Sequence, residues 1–429
     1  MSRTRKKLVL NAFFMRFGHH PAAWRHPSSQ GSGRPDAQYW VRLAQLAEQA
    51  KFDAFFLADF IGRSGADLEE ASHRGGSFQF EPLTLLSLIA GATEHIGLVA
   101  TINTNFSEPY NVARALASLD HLSNGRAGWN VVSSLSEVTA QNFGLGRILD
   151  HGERYERAAE FVELTKKLWD AWDDQAFDHP DRKLGNFFDP QHAHPVQHQG
   201  KHFRSEGLLD IARPIQGYPV FVQAGNSDTG REFAAQIAEM TYSSAQSLDV
   251  AKAYYADVKG RMARYGRDPV QGMVDFSRGV ELAGVDVSGY PLDGPLPDLQ
   301  AASNGKGRFK QLVELARRES LTIRQLVLRF GVARGHIQII GSAKTVADQI
   351  EQWFLEEGAD GFNVVPPLLP SGFQDFVAGV VPELQRRGLF RSQYEGKTLR
   401  ENMGLARPDN QFEHDRARPE ASLVEQIAI

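Results

Sequence analysis

The chain alternates between short apolar segments and longer amphipathic ones. In the segment 38–50, for example, Trp40, Leu43, Leu46 and Ala47 recur at helical spacing. The pattern predicts strands at 8–14, 53–59, 96–104, 128–134, 219–224, 240–245 and 362–365. It predicts helices at 38–50, 82–94, 110–122, 151–172, 228–238, 248–265 and 345–357. Apolar strands that alternate with helices indicate a parallel sheet covered by helices.

This rhythm favours an α/β fold of the TIM-like (β/α)8 barrel type over an open doubly wound sheet. Neither a Gly-x-Gly-x-x-Gly fingerprint after a strand nor a Walker-type phosphate loop occurs. We expect a single barrel domain at 1–405, with long insertions near 62–80 and 173–214 at the carboxyl face of the barrel. A polar tail is expected at 406–429.

Composition narrows the class of protein. The 429 residues include 42% apolar residues, which is enough for a full core, and the formal net charge is −5. The absence of a strongly basic patch argues against a nucleic-acid partner. With no cysteine in the chain, disulfides, thiolate metal sites and cysteine nucleophiles are excluded. The apolar run at 8–14 is too short to span a membrane, and we expect a soluble cytoplasmic protein.

The fourth predicted strand carries a lone amide, Asn130, within an apolar run. An amide is costly to bury without a partner. At the carboxyl end of a barrel strand that partner is often a ligand. A bond to a neighbouring strand or to water explains Asn130 equally well.

Other polar residues recur at the predicted strand ends and helix starts, where a barrel collects its active site. The candidates for binding a cofactor are Asp59, Thr101, Asn103, Asn130, His151, Tyr155, Asn226 and Ser227. The turn at 223–228 opens a helix and suits an anion such as a phosphate. Each residue also has a structural explanation: Asp59 and Ser227 as caps, His151 as a neighbour of a helix N-cap, Tyr155 as a packing residue.

The histidines form two groups. His192, His194, His198 and His202 cluster in the second insertion, but no cysteine and few carboxylates accompany them, so we predict no metal site. His20 and Trp24 follow the first strand and would lie over the barrel mouth. They are candidates for substrate contacts, and a structural role is equally consistent with their position.

Several motifs resemble one family across nearly the whole chain. They are GLVAT at 97–101, EPY at 108–110, the segment 119–134, NFG at 142–144, HGERY at 151–155, VQAG at 222–225, SGYPLDGPL at 288–296, LTIRQL at 321–326, DGFN at 360–363 and PELQRRG at 382–388. The family is the bacterial-luciferase-like FMN-dependent two-component monooxygenases. Within it, the chain resembles the nitrilotriacetate, dibenzothiophene-sulfone and dimethyl-sulfide monooxygenase branch.

The resemblance implies a barrel that binds reduced FMN and uses O2 to oxygenate a small organic substrate containing sulfur or nitrogen. By the same resemblance, Ser227 and Tyr155 hold the phosphate, while Asp59, Thr101 and Asn130 border the ring system. A separate NAD(P)H-dependent flavin reductase would supply the reduced FMN. We also expect a homo-oligomer and no membrane partner.

One departure concerns the closure of the barrel. Family members carry a further strand and helix between the segments that match 265–269 and 288–290, whereas only 270–287 lies there in this chain. Either the short segment 273–276 serves as the seventh strand in a shortened form, or a mobile stretch is missing from this sequence. Three alternatives to an FMN monooxygenase stay open: a metal-dependent barrel hydrolase, a non-catalytic flavin-binding protein, and an enzyme that uses a deazaflavin.

Overall fold

The parallel barrel that the sequence predicts is confirmed. The structure, a computed structural model, describes residues 7–20, 22–29, 34–59, 61–62, 68, 72–73, 80–133, 137–144, 149–243, 245, 247–276, 291, 293–295, 316–325 and 337–412. Numbered in chain order, the strands are β1 (Val9–Phe13), β2 (Ala54–Leu57), β3 (Gly97–Asn103), β4 (Ala127–Val132), β5 (Val196–Gln199), β6 (Arg204–Gly207), β7 (Val220–Gln223), β8 (Met240–Ser243), β9 (Met273–Phe276) and β10 (Gly361–Val364). Eight of them form a closed barrel in the order β1-β10-β9-β8-β7-β4-β3-β2.

The helices of the described residues cover the outside of this barrel, except for the last one, which lies at its amino end. They are α1 (Ala37–Gln49), α2 (Pro82–Ala90), α3 (Pro109–Leu122), α4 (Glu137–Asn142), α5 (His151–Trp169), α6 (Asp228–Ile237), α7 (Leu248–Met262), α8 (Ala343–Leu355), α9 (Ser371–Asp375), α10 (Val381–Arg386) and α11 (Leu399–Met403). A five-residue π-helix, Phe376–Val380, joins α9 to α10. No helix in the described part of the chain is both long enough and apolar enough to cross a membrane.

The short segment at 273–276 does serve as a strand. β9 pairs in parallel with β8 on one side and with β10 on the other. β9 therefore supplies the strand that links β8 to β10 in the closed barrel. The rest of the segment 270–287, where the departure from the family pattern falls, lies outside the described residues.

Alternating side chains separate the interior of the barrel, its lumen, from the helix-covered outside. In β4, Trp129 packs outward against Phe161 of α5, so Asn130 faces the lumen. In β10, Phe362 packs outward against Trp353 of α8, so Asn363 faces the lumen as well. This alternation decides which polar side chains can reach a molecule held in the barrel.

The lumen is plugged at the amino ends of the strands. Leu399 and Met403 of α11 are buried there, and they join a cluster that includes Val9 and Val99. Arg400 of the same helix donates to both carboxylate oxygens of Glu239, and Leu399 donates its N–H to the Gly125 carbonyl. Any molecule entering the lumen must therefore come from the carboxyl end.

The second insertion contains structure that the sequence does not predict. β5 and β6 form an antiparallel hairpin outside the barrel. The Glu160 carboxylate on α5 accepts the backbone N–H groups of His202 and Phe203, which fixes the hairpin to the helix. The first insertion, at 62–80, lies largely outside the described residues.

The start of the segment assigned to a polar tail is bound to the barrel. Asn410 is almost fully buried and donates to the carbonyls of Asp170 and Trp172. Arg407 contacts both carboxylate oxygens of Asp174 at 2.6 and 2.7 Å. Ordered chain therefore continues past residue 405, at least to Phe412.

Candidate active site at the carboxyl end of the barrel

Four side chains form one layer across the lumen near its carboxyl end. Phe56, Asn130, Tyr242 and Asn363 come from β2, β4, β8 and β10, which are alternate strands in the barrel order. The rings of Phe56 and Tyr242 stack across the lumen with centroids 5.2 Å apart. Phe13 of β1 stacks on Phe56 at 4.6 Å. The site therefore has an aromatic floor with an amide on either side.

Asn130 is bonded on one side only. Its Nδ2 donates to Thr101 Oγ1 of β3 at 3.0 Å. Its Oδ1 is buried and has no hydrogen-bond partner in the described part of the chain. Both residues are only 5% exposed, so the oxygen has no ready access to bulk water. The structural and the ligand-binding interpretations of Asn130 therefore each account for one atom. Nδ2 has a structural partner, and Oδ1 is left to accept a hydrogen bond from a ligand.

Asn103 and Asp59 lie further out on the same side. Asn103 ends β3, and its Oδ1 accepts the backbone N–H of Asn105 at 2.9 Å, which shapes the turn that follows the strand. Asp59 lies two residues after β2 and is partly exposed. These two residues and the Thr101–Asn130 pair line one half of the mouth, above β2, β3 and β4.

A second group of candidates converges where β7 leads into α6. Ser227 caps α6, and its Oγ accepts the Gly230 N–H at 3.0 Å. A Cβ placed on Gly230 would lie 3.0 Å from both Ser227 Oγ and Tyr155 Oη. The hydroxyls of Ser227 and Tyr155 therefore lie on either side of a glycine that leaves space between them. With the first turn of α6, this corner has the chemistry of an anion site.

The corner is held in place from below. The Gly225 N–H donates to Gln223 Oε1 at 2.6 Å, and the Gly225 carbonyl accepts the hydroxyl of Tyr254 at 3.0 Å. Burial raises the pKa of Tyr254, so its hydroxyl stays protonated and continues to donate. The next residue, Asn226, accepts a long bond from Ser243 Oγ at 3.4 Å.

His151 and Tyr155 share one face of α5, as their spacing predicts. Their ring centroids are 5.0 Å apart, and Tyr155 also packs edge-on against Phe233 of α6 at 5.6 Å. Asp150 caps the helix by accepting the Glu153 N–H, so His151 is the first residue of the helix. His151 itself is exposed, at the outer edge of the corner.

The two candidates for substrate contacts lie at the rim. His20 donates its backbone N–H to the Pro367 carbonyl, which places the loop after β1 beside the loop after β10. Its Nδ1 accepts the Ala22 N–H at 3.0 Å. Trp24 is 40% exposed and donates Nε1–H to the His73 carbonyl. His20 thus borders the mouth, while Trp24 lies further toward solvent.

The histidines of the second insertion bind two different carboxylates. His192 and His194 contact the buried carboxylate of Asp173 at 2.8 and 2.6 Å. His198 contacts Glu160 at 3.2 Å. Among the described residues, no group of three or more histidine or acidic side chains is placed to hold a metal ion. These contacts fasten the insertion to α5 and its C-terminal end.

One residue of the layer, Asn363, is not among the sequence-derived candidates. It is 5% exposed, and in the described part of the chain neither Oδ1 nor Nδ2 has a partner. A cavity of about 410 Å³ adjoins it, with Ser243, Val365 and Pro367 among its lining residues. The sequence signal resembles that of Asn130, a lone amide in an apolar strand, but only the outward packing of Phe362 in the closed barrel shows that Asn363 faces the lumen.

Polar side chains collected at the carboxyl end of a closed parallel barrel define the active-site face of a (β/α)8 enzyme. Comparison with known proteins identifies which kind. The profile of the luciferase-like monooxygenases matches residues 15–283. The chain belongs to this family, which consists of flavin-dependent enzymes.

Individual relatives match over almost their full length. The chain is 42% identical to N-acetyl-S-(2-succino)cysteine monooxygenase of Bacillus subtilis (strain 168), over 96% of this chain and 100% of that protein. It is 43% identical to nitrilotriacetate monooxygenase component A of Aminobacter aminovorans, over 94% and 98%. Among solved structures, EDTA monooxygenase (EmoA) from Chelativorans sp. BNC1 has a TM-score of 0.79 and 32% identity, over 94% of this chain and 99% of that one.

Proposed function

We propose that the protein is a monooxygenase that uses reduced FMN and O2 to insert one oxygen atom into a small organic substrate containing sulfur or nitrogen. The observation that carries the proposal is the half-satisfied amide of Asn130, beside an anion-suited corner in the same barrel mouth. Family membership supports a reduced flavin as the cofactor. The named substrates of the two relatives contain nitrogen, and one of them also contains sulfur.

The residues at the mouth fit the two ends of FMN. The hydroxyls of Tyr155 and Ser227, with the first turn of α6, would bind the phosphate, and His151 would border it. Asp59, Thr101, Asn103 and Asn130 would border the ring system, where the open Oδ1 of Asn130 can accept an N–H. Asn226 would lie between the two groups. When bound, reduced FMN supplies the electrons that activate dioxygen.

The role of the protein is to bind, orient and exclude water. The plug at the amino end leaves one route into the lumen, and the Phe56–Tyr242 stack forms an aromatic floor. We propose that a separate NAD(P)H-dependent flavin reductase supplies the reduced FMN. The name of the Aminobacter relative, component A, is consistent with such a companion.

The phosphate site is tested by titration with reduced FMN under anaerobic conditions. Tyr155→Phe and Ser227→Ala each remove one hydroxyl from the corner, and we expect each to weaken FMN binding about tenfold. Tyr265→Phe and Ser118→Ala are matched controls, because these hydroxyls bind Glu232 and the Arg114 carbonyl on the outer helices. Unchanged affinity in both site variants would contradict the assignment.

The activity is tested with a generic flavin reductase, NADH and a panel of thioethers, sulfones and amines, with products identified by mass spectrometry. An oxygenated product that depends on O2 supports the proposal. Hydrogen peroxide as the only product across the panel would favour a non-catalytic flavin-binding protein. A parallel titration with a deazaflavin tests the cofactor, since tighter binding of the deazaflavin would contradict the choice of FMN.

A further inference from the structure

The two open amides of the barrel, Asn130 and Asn363, lie on opposite strands. In the barrel order, three strands separate β10 from β4 in either direction. From Asn363 the register passes through Asn11 and Ala54 to Gly97, four residues before Thr101, which is the partner of Asn130. In this direction around the barrel, the residue of β3 in register with Asn363 therefore lies four residues closer to the amino end of the strand than the partner of Asn130.

The other direction gives the opposite offset. One residue before Asn363, Phe362 pairs with Phe276, which pairs with Ser243, and the register then continues from β8 to β7. Extended by one residue, this path meets β7 at Asn226, four residues after Val222, which is also a partner of Asn130. Strand tilt shifts the register evenly around a barrel. The offset is four residues in both directions around the barrel, with opposite sign. The two amides therefore lie at the same height and face each other across the lumen.

Asn363 contributes nothing to folding that a hydrocarbon side chain could not contribute. The side chain is 95% buried, because its exposure is 5%, and neither polar atom is bonded within the described part of the chain. A buried amide without partners costs folding free energy, whereas an apolar residue of the same shape does not. An amide kept at such a position is explained if a bound molecule completes its hydrogen bonds.

The surroundings indicate which molecule that is. The cofactor candidates lie on β2, β3, β4 and the β7–α6 corner, whereas Asn363 lies on the opposite half. The cavity of about 410 Å³ beside it extends between β10 and α8, where Phe362, Val346 and Ile350 line it. The described residues that line this cavity include the carboxylate of Asp375 but no lysine or arginine. The aromatic pair Phe56–Tyr242 lies between the two amides in the same layer. Because the amide of Asn363 has one open donor and one open acceptor, a neutral, planar group that both donates and accepts hydrogen bonds would complement it.

We propose that Asn363 binds the substrate, holding a neutral carboxamide-type group of it against the Phe56–Tyr242 pair. This inference rests on the proposed function, because it assumes that flavin occupies the Asn130 half of the mouth. The Nδ2–H donates to the carbonyl oxygen of the substrate group, and Oδ1 accepts its N–H. A carboxylate of the same shape is disfavoured, since it cannot donate to Oδ1 and meets no cation in the described wall of the cavity.

Binding of small probes tests this assignment without knowledge of the natural substrate. Benzamide, acetophenone and benzoate share a planar ring and differ in the group offered to Asn363. In the FMN-loaded protein, titrated by ligand-observed NMR, we expect benzamide to bind more tightly than acetophenone, and benzoate to bind weakest. Asn363→Leu should weaken benzamide binding about tenfold and remove the preference for it over acetophenone.

Two further measurements separate substrate binding from other roles. The melting temperature of ligand-free Asn363→Leu should equal or exceed that of the wild type, because an unsatisfied buried amide is removed. Its FMN affinity should be unchanged. Asn363→Ala removes the same two atoms without requiring leucine to fit, and it should show the same loss of benzamide binding.

Three results would overturn the inference while leaving the proposed function intact: benzamide that fails to bind the FMN-loaded wild type, benzamide affinity unchanged in both variants, or a loss of FMN affinity in the variants. A loss of FMN affinity would mean that the Asn363 amide binds the flavin and not the substrate. A fall in melting temperature in both variants with benzamide binding retained would make Asn363 structural, which also overturns it. Failure of wild-type protein to bind FMN at all would instead reject the proposed function.

Discussion

A buried ion pair joins Asp53, at the amino end of β2, to Arg391 in the segment that follows α10. Asp53 accepts from Arg391 Nη2 and from the Leu10 N–H of β1. Its side chain is enclosed completely, whereas Arg391 keeps a small exposed fraction. The pair therefore ties the C-terminal segment to the first two strands of the barrel.

The titration of Asp53 should be visible in the stability of the protein. Burial raises the pKa of Asp53 to about 6, against the opposing effect of Arg391. Because an unfolded aspartate titrates near 3.9, the folded chain holds this proton over an interval in which the unfolded chain has released it. The contribution of Asp53 to the free energy of unfolding is thus largest below about pH 4 and declines as the pH rises through about 6.

We expect the wild type to lose up to about 3 kcal/mol between pH 4 and pH 7 relative to Asp53→Asn. Asparagine keeps the shape and the acceptor for Leu10 but does not titrate. Urea unfolding of both proteins across this range measures the difference. If the stability of the two proteins changed with pH in parallel, the pKa of Asp53 would be the same in the folded and unfolded chains, which would contradict the prediction.

Single residues show how far the sequence can predict the site. Asn130 was identifiable because a lone amide interrupts an apolar strand, and the structure confirms its burial at that position. Asn363 carries the same signal in the strand Gly361–Val364. Its direction depends on how the barrel closes around it, through the pairings of β10 with β9 and with the much earlier β1. Local pattern has no access to those pairings.

Among the helices, α11 has only five residues, yet it closes the amino end of the lumen. Leu399 is fully buried in the lumen cluster. Its methyl groups occupy space that exists because Gly97 of β3 has no side chain: a Cβ there would lie 2.4 Å from Leu399 Cδ1. The glycine in the strand and the leucine in the helix are therefore complementary parts of one plug.

Leu399→Ala should lower the free energy of unfolding by about 2–5 kcal/mol, because it leaves a cavity within a rigid barrel. FMN affinity should not change, since the plug lies at the end of the lumen away from the proposed site. Urea unfolding and FMN titration give the two readouts. The matched control is Leu122→Ala at the end of α3, where the leucine is 61% exposed. A cost no larger than that of the control would mean that the plug does not support the barrel.

Secondary structure followed from the sequence where strands and helices are apolar and periodic. The strand at 128–134 and the helix at 151–172 appear as β4 and α5 with small differences at their ends. The β5–β6 hairpin was missed because its residues, such as Gln197 and Glu206, carry little apolar signal. Its position is fixed by the carboxylate of Glu160 on a distant helix, an interaction between segments that local periodicity cannot reveal.

At the scale of the whole molecule, the described C-terminal segment runs across the amino end of the barrel and continues to α5. Arg391 binds Asp53, Arg400 binds Glu239, and Arg407 binds Asp174. Phe412 then stacks on His194 of the second insertion at 5.2 Å. Strands, insertion and C-terminal segment are thereby linked into one unit.

Removal of the last part of this segment should therefore destabilise the protein. A chain ending at Leu405 loses the Arg407–Asp174 pair and leaves the carbonyls of Asp170 and Trp172 without the Asn410 amide. We expect its melting temperature to lie about 3 °C or more below that of a chain ending at Phe412, which retains all these contacts. Equal melting temperatures for the two truncated chains would show that residues 406–412 rest on the surface without stabilising it.

The pairing of β1 with β10 also sets the order in which the chain can be completed during synthesis. Val9 pairs with Gly361, so the first strand leaves the ribosome long before its partner exists. Until then β1 presents an open edge, and the lumen lacks the Leu399 plug. Exposed strand edges and apolar surface favour aggregation and chaperone binding. A nascent chain of this protein must therefore remain protected through most of its translation. A fragment released before β10 is synthesised cannot close the barrel.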